Sequence, residues 1–347
     1  MNTYMLSSLL KGKGKSYLPA ILFSLLLLLG LECCHSDQSK NCINLYCYSA
    51  MKDVMLEGII PAFQEMNKAQ NNRNVIFKTN FRGSVELTCD IVTQKSADIA
   101  IFASEIDATI LINRGVLAEK TWLKYPHNGT IAQSPILIIY NPDEVDDIKD
   151  FGDLSRPSVK LIHPSPLHSG LGQWGIMASY GSFLTDGDDA TAMTKLNNLW
   201  QSVSSSPTSA LMARDLYTRK MGNAMITYES ELMGSSSRQV MDGTVCVPPK
   251  TIICEPLVVV IQRERSPLEE KLIMDFQKFL WSDRAQQIFV EYGFRSVTDR
   301  LNALNKKFVQ LDSTFTMEDL GGAKYVKSEL IEERWQNQIR RRNKAQN

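Results

Sequence analysis

The sequence predicts an α/β protein of two lobes joined by crossing strands, and three observations carry that prediction. Short apolar runs alternate with amphipathic runs along the chain, the pattern of parallel β-α units and not of an all-β sandwich. The chain has 347 residues, of which 44% are hydrophobic and 22% charged, enough for two ordinary lobes and a large buried core. Two extended stretches, near Gln133 to Ile136 and Ile252 to Leu257, lie where one set of units gives way to another.

At the N-terminus, Lys11, Lys13 and Lys15 precede an apolar run from Ala20 to Leu31. That run is too short to span a bilayer and the right length for the apolar part of a secretory signal. Residues 1–33 therefore read as an export signal and 34–42 as a polar tether. In "LECCHSDQSK" the apolar run meets Cys33 and Cys34. Bacterial lipoprotein signals look similar, with a lipid on the cysteine after the cut, although Glu32 stands where they want a small residue. Lipidation at Cys34, plain cleavage and an uncleaved anchor remain open.

The first set of units, residues 43–133, begins with "INLYCYSA" as a strand and "KDVMLEGIIPAFQEMNKA" as a helix with apolar residues at three- and four-residue spacings. Next come the strand "NVIFKTNF", the turn "RGS", the helix "VELTCDIVTQK", the strand "ADIAIFA" and the helix "EIDATILINRGVL". The second set, residues 134–256, holds the strand "SPILIIYN", the strand and loop "VKLIHPSP", and a helix from Trp174 to Leu184. It continues with helices "ATAMTKLNNLWQSV" and "SALMARDLYTRKM" and the strand "NAMITYE". The run "TIICEPLVVVIQR" then leads back to the first lobe, to which residues 257–347 are assigned. "SPLEEKLIMDFQKFLWSDRAQQIFVEYG" reads as a long helical region with Pro267 in its first turn and Gly293 at its stop. A terminal helix follows "FTMEDLGG".

Charge excludes one class of partner. The chain balances 38 basic against 38 acidic residues, and removing residues 1–33 leaves 35 against 37, a net charge of −2. No basic stripe marks a nucleic-acid surface. Outside the cytoplasm thiols tend to pair, and Cys246 and Cys254 flank "VPPKTII", a spacing that a turn could close into a disulfide. His35, His127, His163 and His168 are scattered and no CxxC occurs, so neither a metal nor another cofactor is expected.

Three places join a strand to a helix through small polar residues: "YSAM" at Tyr48 to Met51, "FRGSVE" at Phe81 to Glu86, and "LHSGLGQW" at Leu167 to Trp174. In open α/β sheets ligands gather outside the carboxyl ends of strands, where these turns lie. Free N–H groups and the helix dipole favour an anion there, and serine adds a hydroxyl without adding charge. Taken singly, each serine reads first as an ordinary cap or turn residue, and only convergence of the three in the fold favours the anion. Catalytic readings fail on spacing. Beyond the export signal no Gly-Lys-Ser/Thr occurs, so there is no P-loop. Leu167 stands two before Ser169 where a nucleophile elbow needs glycine. An enzyme is not expected. Tyr228 ends a buried strand and its hydroxyl either donates to an anion or packs; Trp174, Trp200 and Trp281 fall on apolar helical faces and read as core.

Together these motifs resemble the bacterial sulfate and thiosulfate binding proteins. "IHPSPLHSGLGQWGIMASYGSFL" is similar to the family's Ser-Gly turn that opens a helix onto the anion. "SADIAIFASEIDATILINRGVL", "DFQKFLWSDRAQQIFVEYGFRSV" and "FTMEDLGG" resemble further family segments in the same order, from about residue 43 to 340. The resemblance implies a two-lobed type II periplasmic-binding fold with the ligand in the cleft. It also implies an exported receptor, periplasmic or held to the membrane by a lipid, that passes a tetrahedral oxyanion to an ABC permease and its ATPase. Carried over by position, Ser49, Ala50, Ser84, Ser169, Gly170, Ser209 and Tyr228 form the ligand set. Two positions depart. Ala50 stands where sulfate binders have aspartate, and Tyr228 where they have tryptophan; both are closer to molybdate and tungstate binders. Sulfate or thiosulfate is the first expectation, with molybdate or tungstate, or a non-transport sensory protein on the same fold, as alternatives.

Overall fold

The computed structural model describes residues 41–94, 96–184, 188–233, 240–303 and 305–341. The predicted export signal, Cys34, nearly all of the tether and the last basic residues lie outside them. Two sheets carry the fold. In the first, β1 (Cys42–Tyr48), β2 (Ile76–Arg82) and β3 (Ile99–Phe102) are parallel, and β10 (Leu257–Val260) runs antiparallel on the far side of β3. β3 is buried over its whole length, which is why its four residues are all apolar. Helices α1 (Ile60–Asn71), α2 (Ser84–Gln94) and α3 (Glu105–Asn113) alternate with these strands. α1 ends where Asn72 takes a left-handed conformation, φ 51°, the usual helix stop.

The second sheet holds β4 (Ser134–Tyr140), β5 (Leu161–Ile162), β6 (Val203–Ser205), β7 (Ala224–Tyr228), β8 (Thr244–Cys246), β9 (Lys250–Cys254) and β11 (Ser313–Phe315). Its order is β11-β9-β4-β7-β5-β6, with β8 also on β4. Helices α4 (Gly170–Phe183), α5 (Asp189–Gln201), α6 (Ala210–Thr218) and α7 (Glu229–Leu232) belong to this half. α4 is buried on nearly every face. Its glycines admit close neighbours: a Cβ on Gly181 would lie 2.3 Å from the Phe315 ring, and one on Gly172 2.4 Å from the Pro164 carbonyl oxygen.

Between the sheets the chain passes three times. The segment before β4 and the segment after β9 run side by side, with Ile131 N–H donating to Pro256 O (3.1 Å) and Ser134 paired with Cys254. A third passage at Arg295 exchanges two hydrogen bonds with Gln133, 2.7 and 2.8 Å long. The mixed α/β architecture with crossing strands is the one the sequence predicts.

Three expectations need correcting. First, the C-terminal stretch does not stay with the first lobe. β11 pairs parallel with β9, and the terminal helix Val326–Arg340 packs on α4 and α5. Trp335 on that helix meets Trp200 edge to face at 4.9 Å, and Trp200 meets His163 at 5.0 Å. Second, Cys246 and Cys254 are free thiols. They pair with Ile138 and Ser134 along one side of β4, so "VPPK" carries the chain onward and does not turn it back. Four residues of extended strand separate the two by roughly 13 Å, about twice the span of a disulfide. Third, the long helical region breaks into α8 (Pro267–Phe279) and α9 (Asp283–Glu291), because Ser282 caps a new start by accepting from Ala285 N (3.2 Å).

Candidate ligand-binding site

Each strand-to-helix turn flagged in the sequence lies at the carboxyl end of its strand. β1 ends at Tyr48, and Ser49, Ala50 and Met51 make a buried turn of 3-10 helix. β2 leads through Gly83 into Ser84, the first residue of α2. β5 leads through the loop 163–169 to Ser169, which stands extended at the N-cap of α4, with Gly170 as its first residue. Ser209 caps α6, and Tyr228 closes β7.

Close contacts bring most of these turns to one place. A Cβ on Gly83 would lie 2.4 Å from both His168 O and Thr208 O, so the β2 turn of the first lobe rests against two loops of the second. Only glycine permits that approach. A Cβ on Gly170 would lie 2.2 Å from Ala103 Cβ and 3.2 Å from Ser84 Cβ. Val85 N–H donates to His168 O (3.2 Å) and the Trp174 indole N–H to Ala103 O (2.9 Å), both between lobes. α6 packs on the 49–51 turn, and the Tyr48 ring meets the Tyr228 ring edge to face at 6.2 Å. The turns that carry Ser49, Ala50, Ser84, Ser169, Gly170, Ser209 and Tyr228 thus lie along the contact between two closed lobes.

Their donors are not equivalent. The Ser84 hydroxyl donates to Asp107 Oδ2 (2.5 Å) and accepts from Ala103 N–H (2.9 Å). While Asp107 is ionised, Ser84 offers an anion its main chain only. Ser209 Oγ accepts from Met212 N–H (3.2 Å) and keeps its own proton to give. The Tyr228 hydroxyl is fully buried, the residue being 1% exposed, and has no hydrogen-bond partner. A buried hydroxyl without a partner is costly, so an acceptor arriving at that end of the ring would be stabilised. Burial also holds its proton on, pushing the phenol well above its ordinary range, helped by neighbours that include Cys254, Tyr48 and Asp107.

Asp107 is the carboxyl that meets Ser84 at this junction. It is 0% exposed, and its Oδ1 has no partner. Burial pushes it up to about 7, opposed by the Ser84 hydrogen bond and by Lys327 on the terminal helix. The loop carrying Ser169 is braced from behind. Ser165 N–H donates to Pro207 O (2.8 Å), Ser169 N–H to Ser165 O (2.8 Å), and His163 Nδ1 lies 2.8 Å from Pro164 O. His163 is buried and pushed down to about 4 by desolvation, so at neutral pH it is a neutral packing residue. Among the described residues no group of His, Cys, Asp and Glu could hold a metal ion, and no helix is long and apolar enough to cross a membrane.

Sequence reasoning missed the fourth turn. β3 runs into Ala103 and Ser104, the N-cap of α3, with Asp107 at its third position. "FASEID" shares with the flagged turns a serine between a strand and a helix start, and adds an aspartate three residues on, a spacing the flagged serines lack. Trp174, read as core, is buried and also bridges the lobes.

A model of bacterial extracellular solute-binding proteins matches residues 43–295. A sulfate-binding protein of Synechococcus elongatus is 27% identical over 290 residues, covering 81% of each chain. A thiosulfate-binding protein of Escherichia coli is 26% identical over 270 residues, 76% of this chain and 80% of that one. Among solved structures, the sulfate-binding protein SubI of Mycobacterium tuberculosis superimposes with a TM-score of 0.75 at 26% identity, over 84% of this chain and 99% of that one.

Proposed function

The chain belongs to the bacterial extracellular solute-binding proteins, and from that premise we propose that it is an exported receptor which captures a tetrahedral oxyanion between its lobes for uptake by an ABC permease and ATPase. Sulfate or thiosulfate is the leading ligand. The observation that carries this reading is the convergence of helix starts from both lobes on one buried junction rich in neutral donors. Helix N-termini are ready anion sites. Hydrogen bonds to a charged acceptor are roughly twice as strong as neutral ones, and an anion held by neutral donors has no ion pair of its own to break on release. No step in this role needs a catalytic residue. Relatives named for sulfate and thiosulfate over most of their length support the choice of ion.

A second ion class has two residues in its favour. Tyr228 and Ala50 stand where the sulfate-binder resemblance expects tryptophan and aspartate, and both suit molybdate or tungstate. Attachment through a lipid on Cys34 belongs to the same proposal and is tested by mass spectrometry of the membrane fraction. For the ligand, the chain without residues 1–33 is titrated calorimetrically with sulfate, thiosulfate, molybdate, tungstate and phosphate. Sulfate or thiosulfate is expected to bind most tightly. Tighter molybdate or tungstate binding reassigns the ion, and no binding to any of the five removes the oxyanion role.

A further inference from the structure

Beside Tyr228 lies an ion pair, its carboxylate buried and its guanidinium partly so, that anion binding alone does not require. Glu229, 1% exposed, accepts from Arg295 Nε (2.7 Å) and Nη2 (2.8 Å) and from Val309 N–H (2.9 Å). Arg295 Nη2 also donates to Val309 O (2.8 Å), and its guanidinium lies 5.0 Å from the Phe308 ring centroid. Such a pair is poor evidence for stability as such, because desolvating two charges offsets most of their attraction, and apolar replacements are often neutral. What it does supply is a rigid, planar, two-point grip.

The location of that grip gives it a use. The main chain of Arg295 is the third passage between the lobes, bonded in both directions to Gln133. Its side chain holds the residue one peptide beyond Tyr228. On the other side, Ser230 N–H donates to Ser134 Oγ (3.2 Å), and Tyr228 itself pairs with Ile136 on β4. The free end of the tyrosine has no hydrogen-bond partner, so the direction of its hydroxyl is set by the packing of the ring, Tyr48 included, and by the backbone behind it, which groups on the crossing strands hold. We propose that Arg295 and Glu229 are positioning residues: they aim the Tyr228 hydroxyl into the anion cleft and tie that aim to the hinge. The proposal rests on the oxyanion-receptor reading.

The test is a double-mutant cycle in anion affinity, measured by calorimetry with sulfate, thiosulfate and molybdate on the chain lacking residues 1–33. With Tyr228 present, R295Q is expected to weaken binding about tenfold, the scale of coupling within one hydrogen-bonded network, and in the Y228F background by less than about twofold. A clamp that merely holds the fold together would cost the same in both backgrounds, and that additivity would overturn the proposal. So would a Y228F protein with unchanged affinity. Should R295Q fail to fold, E229Q keeps the side-chain shape and closes the same cycle. Wild-type protein that binds none of the three ions refutes the receptor reading and this proposal with it, a result distinct from additive losses.

Discussion

Placing a methyl group on Gly170 should hold the two lobes apart. The added Cβ would lie 2.2 Å from Ala103 Cβ, whereas carbon atoms settle at about 3.5 to 4.0 Å. Relief requires the lobes to separate by about 1.5 Å along that line. The same movement stretches the two interlobe hydrogen bonds, Val85 N–H to His168 O at 3.2 Å and Trp174 Nε1–H to Ala103 O at 2.9 Å, beyond useful length. Each bond contributes about 1 kcal/mol, and buried groups left unpaired add to the loss, so the closed form is destabilised by about 2 to 4 kcal/mol. Anion affinity should then fall by roughly 30-fold to 1,000-fold. The separated form should fold normally, because Gly170 has no positive φ and opens a helix, where alanine is at ease. Calorimetry with sulfate measures the affinity, and small-angle scattering with saturating sulfate measures whether Gly170→Ala remains more extended than wild type. Wild-type affinity together with a wild-type radius of gyration would refute the steric reasoning.

Other substitutions test separate parts of the site. Ser169→Ala should weaken anion binding by about 1.5 to 3 kcal/mol, the range for a hydrogen bond to a charged group; unchanged calorimetric affinity would return Ser169 to a capping role. Asp107 links stability to pH. Its carboxyl titrates at about 7 in the fold against an ordinary 3.8, so between those values the folded protein holds a proton that the unfolded chain releases. Stability therefore falls as pH rises through that window. Asp107→Asn removes the slope, and urea unfolding in anion-free buffer should show the variant gaining about 2 to 3 kcal/mol on wild type between pH 5 and pH 8. Parallel pH profiles would contradict it.

Local chemistry was readable wherever it was written locally. Small polar residues between an apolar run and a helical run mark the turns at Ser49, Ser84 and Ser169, because such residues favour turns and helix starts and the signal is contained within a few neighbouring positions. That these turns meet depends on how two lobes close, and no local signal encodes that. Nothing around Gly83 announces that its partners are His168 and Thr208, more than eighty residues away. Strands β6, β8 and β11 have three residues each, too few to show a period of two. The sequence places a terminal helix after "FTMEDLGG" without a signal for which lobe it packs on, and Trp335 resolves that only by finding Trp200. The short spacing of Cys246 and Cys254 suggests a turn, but the chain does not reverse between them: the break at Pro248 and Pro249 separates β8 from β9, and both strands lie along the same side of β4.

The return of the chain to the second half has a practical consequence. β1 begins the described region inside the first sheet, and the terminal helix ends it on α4 and α5. The two ends of the folded chain therefore ride on opposite jaws. Anything joined ahead of residue 41 holds one jaw and leaves the other to swing, while a donor dye near the start and an acceptor dye on the terminal helix would read the jaw angle directly. A single molecule labelled in this way becomes its own gauge of ligand occupancy.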